Sequence, residues 1–346
     1  MSTIIGIREV IVDDLYSPAK EKAAGKGSFG SRWAPLLRRA RQLLVTARVK
    51  LVLSLCALCV AVFMISWTSS FMGWIPEDPS PSLGGYTVLI NTWKGNSLLK
   101  QSVTHYASCG GTDALHVVWS ATDQLSENLQ TYLKRVVFSK SQTVLKPNFK
   151  LYINKEDYLK NRFKPFADLR THAVFSVDDD VIVPCSALDF AFSVWQSAPS
   201  TMVGFVPRIH LLDGQKNGVP YYKYGGWWSV WWTGAYSIVL SKAAFFHKKY
   251  LDLYTHSMSP SIQDYVSRER DCEDIAMSLL VANATGAPPI WVKGKIHEIG
   301  SSGMSSLKGN TNRRNKCLND LISLYGAVPL VSTNVKAADA RQEWFW

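Results

Sequence analysis

The chain has 346 residues, 47% of them hydrophobic, 19% charged and 12% aromatic. That composition excludes bulk disorder, and 22 Gly with 15 Pro are too few for a fibrous repeat. The net charge of +11 is uneven, because residues 1–75 hold ten Lys and Arg against four Asp and Glu, a balance of +6.

Residues 1–50 end in a basic run, Arg32, Arg38, Arg39, Arg41, Arg48 and Lys50, with no acid among them. Directly after it, residues 51–75 are 25 uncharged and mostly apolar positions, where about 20 suffice to cross a bilayer. Trp67 and Trp74 lie toward the far end of this run, where indoles favour the membrane interface, and the basic flank marks the cytosolic side. The pattern predicts a cytosolic tail over 1–50, a single signal anchor over 51–75 in type II orientation, and a lumenal remainder. A cleaved signal peptide fits less well, since the run starts late, is long and lacks a small-residue cleavage site. Nucleic-acid binding is disfavoured because the basic run abuts the apolar segment and does not cross a folded domain. Residues 76–85, rich in Pro, Ser and Gly, read as a short stem.

A domain then begins at Tyr86. Residues Tyr86–Trp93 predict a strand, Ser97–Tyr106 a helix, Leu115–Trp119 a strand, Ser126–Leu133 a helix and Val136–Phe138 a third short strand. Such alternation predicts an α/β domain with a largely parallel sheet. Cys109, Cys185, Cys272 and Cys317 fall in this part, and four cysteines allow three pairings that spacing does not choose between. Asn283-Ala284-Thr285 is the only Asn-x-Ser/Thr triplet, which makes Asn283 the candidate glycosylation site of a lumenal protein.

The strand His172–Val177 runs straight into Asp178, Asp179 and Asp180. Ligands of open α/β sheets bind at the carboxyl ends of strands, and adjacent carboxylates repel unless a cation neutralises them. Oxygen ligands suit Mg²⁺ or Mn²⁺, whose shells are commonly completed by substrate phosphates. A second acidic cluster, Asp271, Glu273 and Asp274 around Cys272, opens a helical pattern over Ile275–Ala282. Acids there also complement a helix dipole. Paired acidic stations in a domain of net positive charge nevertheless favour metal-dependent group transfer. Between the clusters, residues 221–236 hold four Trp and four Tyr around Gly225-Gly226. Aromatic faces stack on sugar rings, so Tyr224, Trp227, Trp228, Trp231 and Trp232 are candidate acceptor-binding residues of a recognition loop. An ordinary aromatic core is a second reading, and a loop dipping into a membrane a third, which suits a lipid-borne acceptor.

These features, in this order, resemble the exostosin-like glycosyltransferases of family 64. The resemblance spans nearly the whole lumenal part and rests on Val174–Asp180, Ala191–Gln196, Val203–Arg208, Cys272–Met277 and Arg314–Asn319. It implies a GT-A fold, a Rossmann-like mixed sheet flanked by helices, as a single lumenal domain over 86–346. It further implies a nucleotide-sugar donor, Mn²⁺ and transfer with retention of anomeric configuration. By the same resemblance Asp180 binds the metal, Asp178 and Asp179 lie near the nucleotide and sugar, and Arg162 contacts the donor. Asp274 stands beside the anomeric carbon, Arg314 faces the diphosphate or donor sugar, and Cys272 pairs with Cys317.

The short anchored form and the Trp-rich segment look most like the plant branch that transfers mannose to glycosyl inositol phosphorylceramide, a Golgi-made sphingolipid. Where other members place an Arg that reaches the diphosphate after the first strand, this sequence has Gly95, and the neighbouring Lys94 is the candidate nucleotide-sugar-binding residue in its stead, a point charge without a bidentate fork. Asp157 stands where other members have Asn. Both departures are compatible with GDP-mannose in place of a UDP-sugar. The alternatives are a UDP-N-acetylhexosamine transferase of the same family and a non-catalytic lumenal glycan-binding protein. A phosphoesterase is disfavoured, since the seven His show no HxH or HxxxH spacing.

Overall fold

The computed structural model describes residues 39, 49–64, 84–92, 96–120, 125–142, 148–154, 159–269, 272–300 and 310–340. The chain divides into two compact units, Met1–Ser80 and Pro81–Trp346.

In the first unit, residues 49–64 form helix α1, with its side chains exposed. It covers part of the expected anchor, and residues 65–75 lie outside the described residues. Among the described residues no helix is long and apolar enough to cross a membrane.

The second unit is built on an eight-stranded mixed sheet in the order β13-β11-β6-β10-β4-β1-β2-β3. Its centre is β1 (Tyr86–Thr92), flanked in parallel by β2 (Thr112–Trp119) and β4 (Ala173–Asp178). Every residue of β1 and β2 is buried. That is the pattern of strands covered on both faces, and it explains why their sequences are nearly continuous apolar runs. Helix α2 (Asn96–Ala107) joins β1 to β2, and α3 (Glu127–Lys140) joins β2 to β3 (Asn148–Ile153). The expected strand at Val136–Phe138 is the last part of α3. Leu129, Leu133 and Val137 are the buried residues of that helix, four apart on one stripe, and Ser126 caps it by accepting the Leu129 N–H. The helical period therefore overrides the β-branched pair Val136-Val137, and the third parallel strand comes eleven residues later.

After β3 the chain passes through a 3₁₀ turn, Leu159–Phe163, and returns to the other side of β1 as β4. The strand order thus reverses between β1 and β4, which places a crevice at their carboxyl ends. Beyond β4, β10 (Ala243–His247) pairs antiparallel with β4 and with β6 (Val203–Gly204). Next, β11 (Ile290–Lys293) pairs parallel with β6 and with β13 (Lys336–Ala338). A small second sheet holds β7 (Pro207–Lys216), β8 (Val219–Gly225) and β9 (Ile238–Val239), and a two-stranded one holds β5 (Val181–Ile182) and β12 (His297–Glu298). The remaining helices are α4 (Cys185–Ser197), α5 (Trp227–Thr233), α6 (Lys249–Asp252), α7 (Pro260–Glu269), α8 (Glu273–Thr285) and α9 (Asn310–Tyr325).

Two disulfides lie in this unit, Cys109–Cys185 with a Cα–Cα distance of 5.2 Å and Cys272–Cys317 at 5.8 Å. The first fastens α4 to the turn after α2. The second fastens α9 to the start of α8, the pairing the family resemblance implies.

Candidate active site

The acidic string sits where the topology predicts a ligand crevice. Asp178 is the last residue of β4, paired with Asn91 of β1. Asp179 and Asp180 form the turn into β5. The turn is held by its backbone: Asp179 N–H donates to Asn91 O at 3.1 Å, Asp178 N–H to Lys242 O at 3.2 Å and Ile299 N–H to Asp180 O at 2.7 Å. At Gly300 a Cβ would lie 3.1 Å from Asp180 Cβ, so the segment after β12 passes close over the turn. Lys242, which attracts the Asp180 carboxylate, also pairs with Glu298 of β12.

Of the three carboxylates, Asp179 and Asp180 are only partly neutralised by protein. Burial pushes Asp179 up to about 7, and the negative charges of Asp178 and Asp180 add to the rise despite a hydrogen bond from Thr92 Oγ1. Burial and Asp178 also raise Asp180. Hard carboxylate oxygens crowded at a strand end, with a backbone passing close over them, fit a divalent cation of the Mg²⁺ or Mn²⁺ kind.

The second acidic cluster converges on the same place. Arg162, from the 3₁₀ turn, is buried with its Nη2 2.6 Å from Asp178 Oδ1. Its guanidinium is held charged against the cost of burial by Asp178 first and also by Asp274. One arginine therefore links the end of β4 to the start of α8. Asp274 is buried; its Oδ1 accepts the Ile275 N–H at 2.7 Å and lies 2.5 Å from Arg314 Nη1. Glu273 is buried beside it, raised first by desolvation and then by Asp274, with Arg162 and Arg314 opposing. Among the described residues Glu273 Oε2 and Arg162 Nε have no hydrogen-bond partner. A buried donor and a buried acceptor left unmatched in one pocket are expensive without a ligand.

Arg314 projects from α9, whose position is fixed by Cys317 and by two amides. Asn315 Oδ1 accepts the Tyr224 N–H and Asn319 Oδ1 the Tyr222 N–H, each at 2.8 Å, while Asn319 Nδ2 donates to Tyr222 O at 2.6 Å. The free edge of β8 is thus clamped to α9. Tyr224 is buried, its ring 5.8 Å from Arg314 Cζ, and burial pushes its hydroxyl up to about 12.

Of the residues singled out from sequence, the structure brings together Arg162, Asp178, Asp179, Asp180, Asp274, Arg314 and Tyr224. It sets Trp227, Trp228, Trp231 and Trp232 apart, on the exposed side of α5. The expected recognition loop is therefore the end of a strand followed by a two-turn helix, because Gly226 and Gly234 bracket it and Val230 supplies a buried face. Asn283 is exposed near the end of α8. Lys94, Gly95, Asp157 and Asp271 lie outside the described residues. Sequence reasoning placed Glu273 in the second acidic cluster without giving it a role, and it missed Thr92, Lys242 and the clamping role of Asn315 and Asn319. The four-residue spacing of those amides beside Arg314 was the available signal.

The glycosyl transferase family 64 domain matches residues 86–343 of this chain. The chain is 52% identical over 310 residues to glycosylinositol phosphorylceramide mannosyl transferase 1 of Arabidopsis thaliana, covering 87% of this chain and 92% of that protein. It is 32% identical over 256 residues to exostosin-2 of Homo sapiens, 72% of this chain but only 33% of that protein. Among solved structures, the mannosyltransferase PcManGT from Pyrobaculum calidifontis, in complex with GDP-Man and Mn²⁺, superposes with a TM-score of 0.38 at 14% identity, covering 66% of this chain and 61% of that one. With the family domain matched over residues 86–343 and a 52% identical sequence relative over most of its length, the chain belongs to glycosyl transferase family 64 and is a glycosyltransferase.

Proposed function

We propose that this protein transfers mannose from GDP-mannose, with retention, to a glucuronosyl inositol phosphorylceramide, using Mn²⁺, in the Golgi lumen behind a single type II anchor. The observation that carries the chemistry is the junction of the two acidic stations through buried Arg162. The donor and acceptor are supported by the 52% identity to the Arabidopsis mannosyltransferase and by the Gly95 and Lys94 departure. The compartment is supported by the basic run, the apolar segment, two disulfides and the Asn283 triplet.

In this reading Asp180, with Asp178 and Asp179 beside it, holds the metal ion, which supplies neutralisation of the donor diphosphate. Arg162 fixes Asp178 and, through its unmatched Nε, offers a donor to the sugar nucleotide. Arg314 meets the charge that develops on the leaving diphosphate, where a preorganised cation in a water-poor site acts most strongly. Its ion pair with Asp274 orients that carboxylate beside the anomeric centre. There Asp274 stabilises positive charge on the sugar, whether the acceptor hydroxyl enters from the leaving-group face or the carboxylate bonds to carbon first. Tyr224, buried under Arg314, offers a ring face to a sugar.

Comparison of Asp180→Asn with Asp274→Asn tests the assignment. The first should lose metal-dependent binding of GDP-mannose, and the second should keep binding and lose transfer. Transfer at the wild-type rate by Asp274→Asn removes it from the chemistry.

A further inference from the structure

We propose that α5 and the β7–β8 hairpin form a docking surface that seats in the interfacial layer of an anionic lipid bilayer. The outward set of the indoles is built into the strand before them. A Cβ at Gly225 would lie 2.6 Å from Ile209 Cγ2 and 2.7 Å from Ser229 Cβ, so glycine lets the Ser229 side of α5 settle onto β7. Val230 is buried on that side. Gly234, at φ 66°, closes the helix by donating its N–H to Val230 O at 2.9 Å. With that side inward, Trp228, Trp231 and Trp232 are left 76%, 62% and 82% exposed. Leu212 and Val219 of the hairpin are exposed as well. Single exposed apolar side chains are ordinary; three indoles on one short helix with aliphatics on the hairpin it packs against are not.

Two further observations favour lipid as the occupant. The large outward side chains of α5 are all Trp, whose apolar body and single N–H suit the boundary between headgroups and chains. The charge also leans the same way: the hairpin exposes Lys216 and Lys223 against one exposed acid, Asp213, and α5 carries no acid. A third argument rests on the anchor reading above: the ten stem residues 76–85 can extend at most about 36 Å, which would keep the domain within reach of the bilayer. Tyr224 stands two residues before Gly226 in the same chain segment. A lipid-borne acceptor would then meet Tyr224 and Arg314 with its headgroup while its ceramide stays in the bilayer.

The test uses the full chain with Cys56→Ser and Cys59→Ser, the free cysteines among the described residues, and Trp232→Cys carrying an environment-sensitive fluorophore. A reference chain carries the fluorophore through Lys134→Cys, exposed on α3, and Trp228→Cys serves if Trp232→Cys does not fold. Both are placed in vesicles of phosphatidylcholine and phosphatidylinositol without acceptor glycolipid or donor. The α5 label should be quenched severalfold more slowly by an aqueous reductant than the α3 label, and Lys216→Glu with Lys223→Glu should reduce that protection. Equal accessibility of the two labels overturns the proposal. Protection that requires added acceptor glycolipid overturns it in favour of a glycan subsite, and protection without vesicles that rises with protein concentration does so in favour of a second copy. No outcome depends on sugar transfer, so failure here and failure of the transferase reading are separable.

Discussion

The crevice at β4 and the surface of α5 invert the usual disposition of side chains. The crevice buries Arg162, Glu273 and Asp274, groups that ordinarily stay in water. Helix α5 exposes four indoles of a kind that ordinarily stays largely in a core. In the crevice the inversion is sustained by pairing, with Asp178 against Arg162 and Asp274 against Arg314. On α5 nothing within the described residues covers the outward face. Buried charge that is internally matched marks chemistry, whereas exposed apolar surface that is unmatched marks a partner outside the chain.

The comparison breaks most visibly at Asp274. Asp274→Asn should lower transfer by about 10²–10³ or more, the scale of losing a preorganised electrostatic group. Donor affinity measured by calorimetry should stay near wild type. Next in size is Arg162→Met, which strands buried carboxylates and should cost about 3–5 kcal/mol in denaturant unfolding. The matching change on the other region, Trp232→Ala, should stay within about 0.5 kcal/mol, and a larger loss would show that α5 is part of the core.

The two disulfides sharpen the same contrast. Removing either should cost about 2–5 kcal/mol. Cys272→Ser with Cys317→Ser should in addition reduce transfer per folded molecule, because that bond ties Arg314 on α9 to Asp274 on α8. Cys109→Ser with Cys185→Ser should not.

The smallest expected effect is a pH dependence. Glu273 has its carboxyl raised above its ordinary 4.5 by burial and by Asp274, so the folded protein holds a proton that the unfolded chain releases. Stability contributed by this group is full below that value and falls as pH rises toward the folded pKa. Glu273→Gln should flatten that decline in thermal melts taken from pH 4.5 upward. An unchanged slope would place Glu273 as ionised at all these values.

Much of this could be read from the residues. The parallel core strands announced themselves as apolar runs, and the acidic string stood at the end of one of them. The strand at Val136–Phe138 misled because two adjacent valines look like a strand where a four-residue stripe governs. The convergence of Arg162 with Glu273 and Asp274 was not legible from spacing, since over a hundred residues separate them and only the reversal of strand order at β1 brings them together. The aromatic segment was legible as unusual but not as divided. Its Tyr224 end turns inward because Asn315 and Asn319 hold that strand edge, and its Trp end turns outward because Gly225 lets Ser229 and Val230 take the inner side.

The most direct test of the central claim is release of GDP from GDP-mannose by the full chain in lipid nanodiscs with Mn²⁺, with and without glucuronosyl inositol phosphorylceramide, run beside a panel of UDP-sugars. The account predicts GDP release that rises with acceptor, needs the metal and disappears in Asp274→Asn. Release from a UDP-sugar in its place would contradict the donor. Silence across the panel from folded protein would contradict the assignment of the crevice as a mannosyl transfer site.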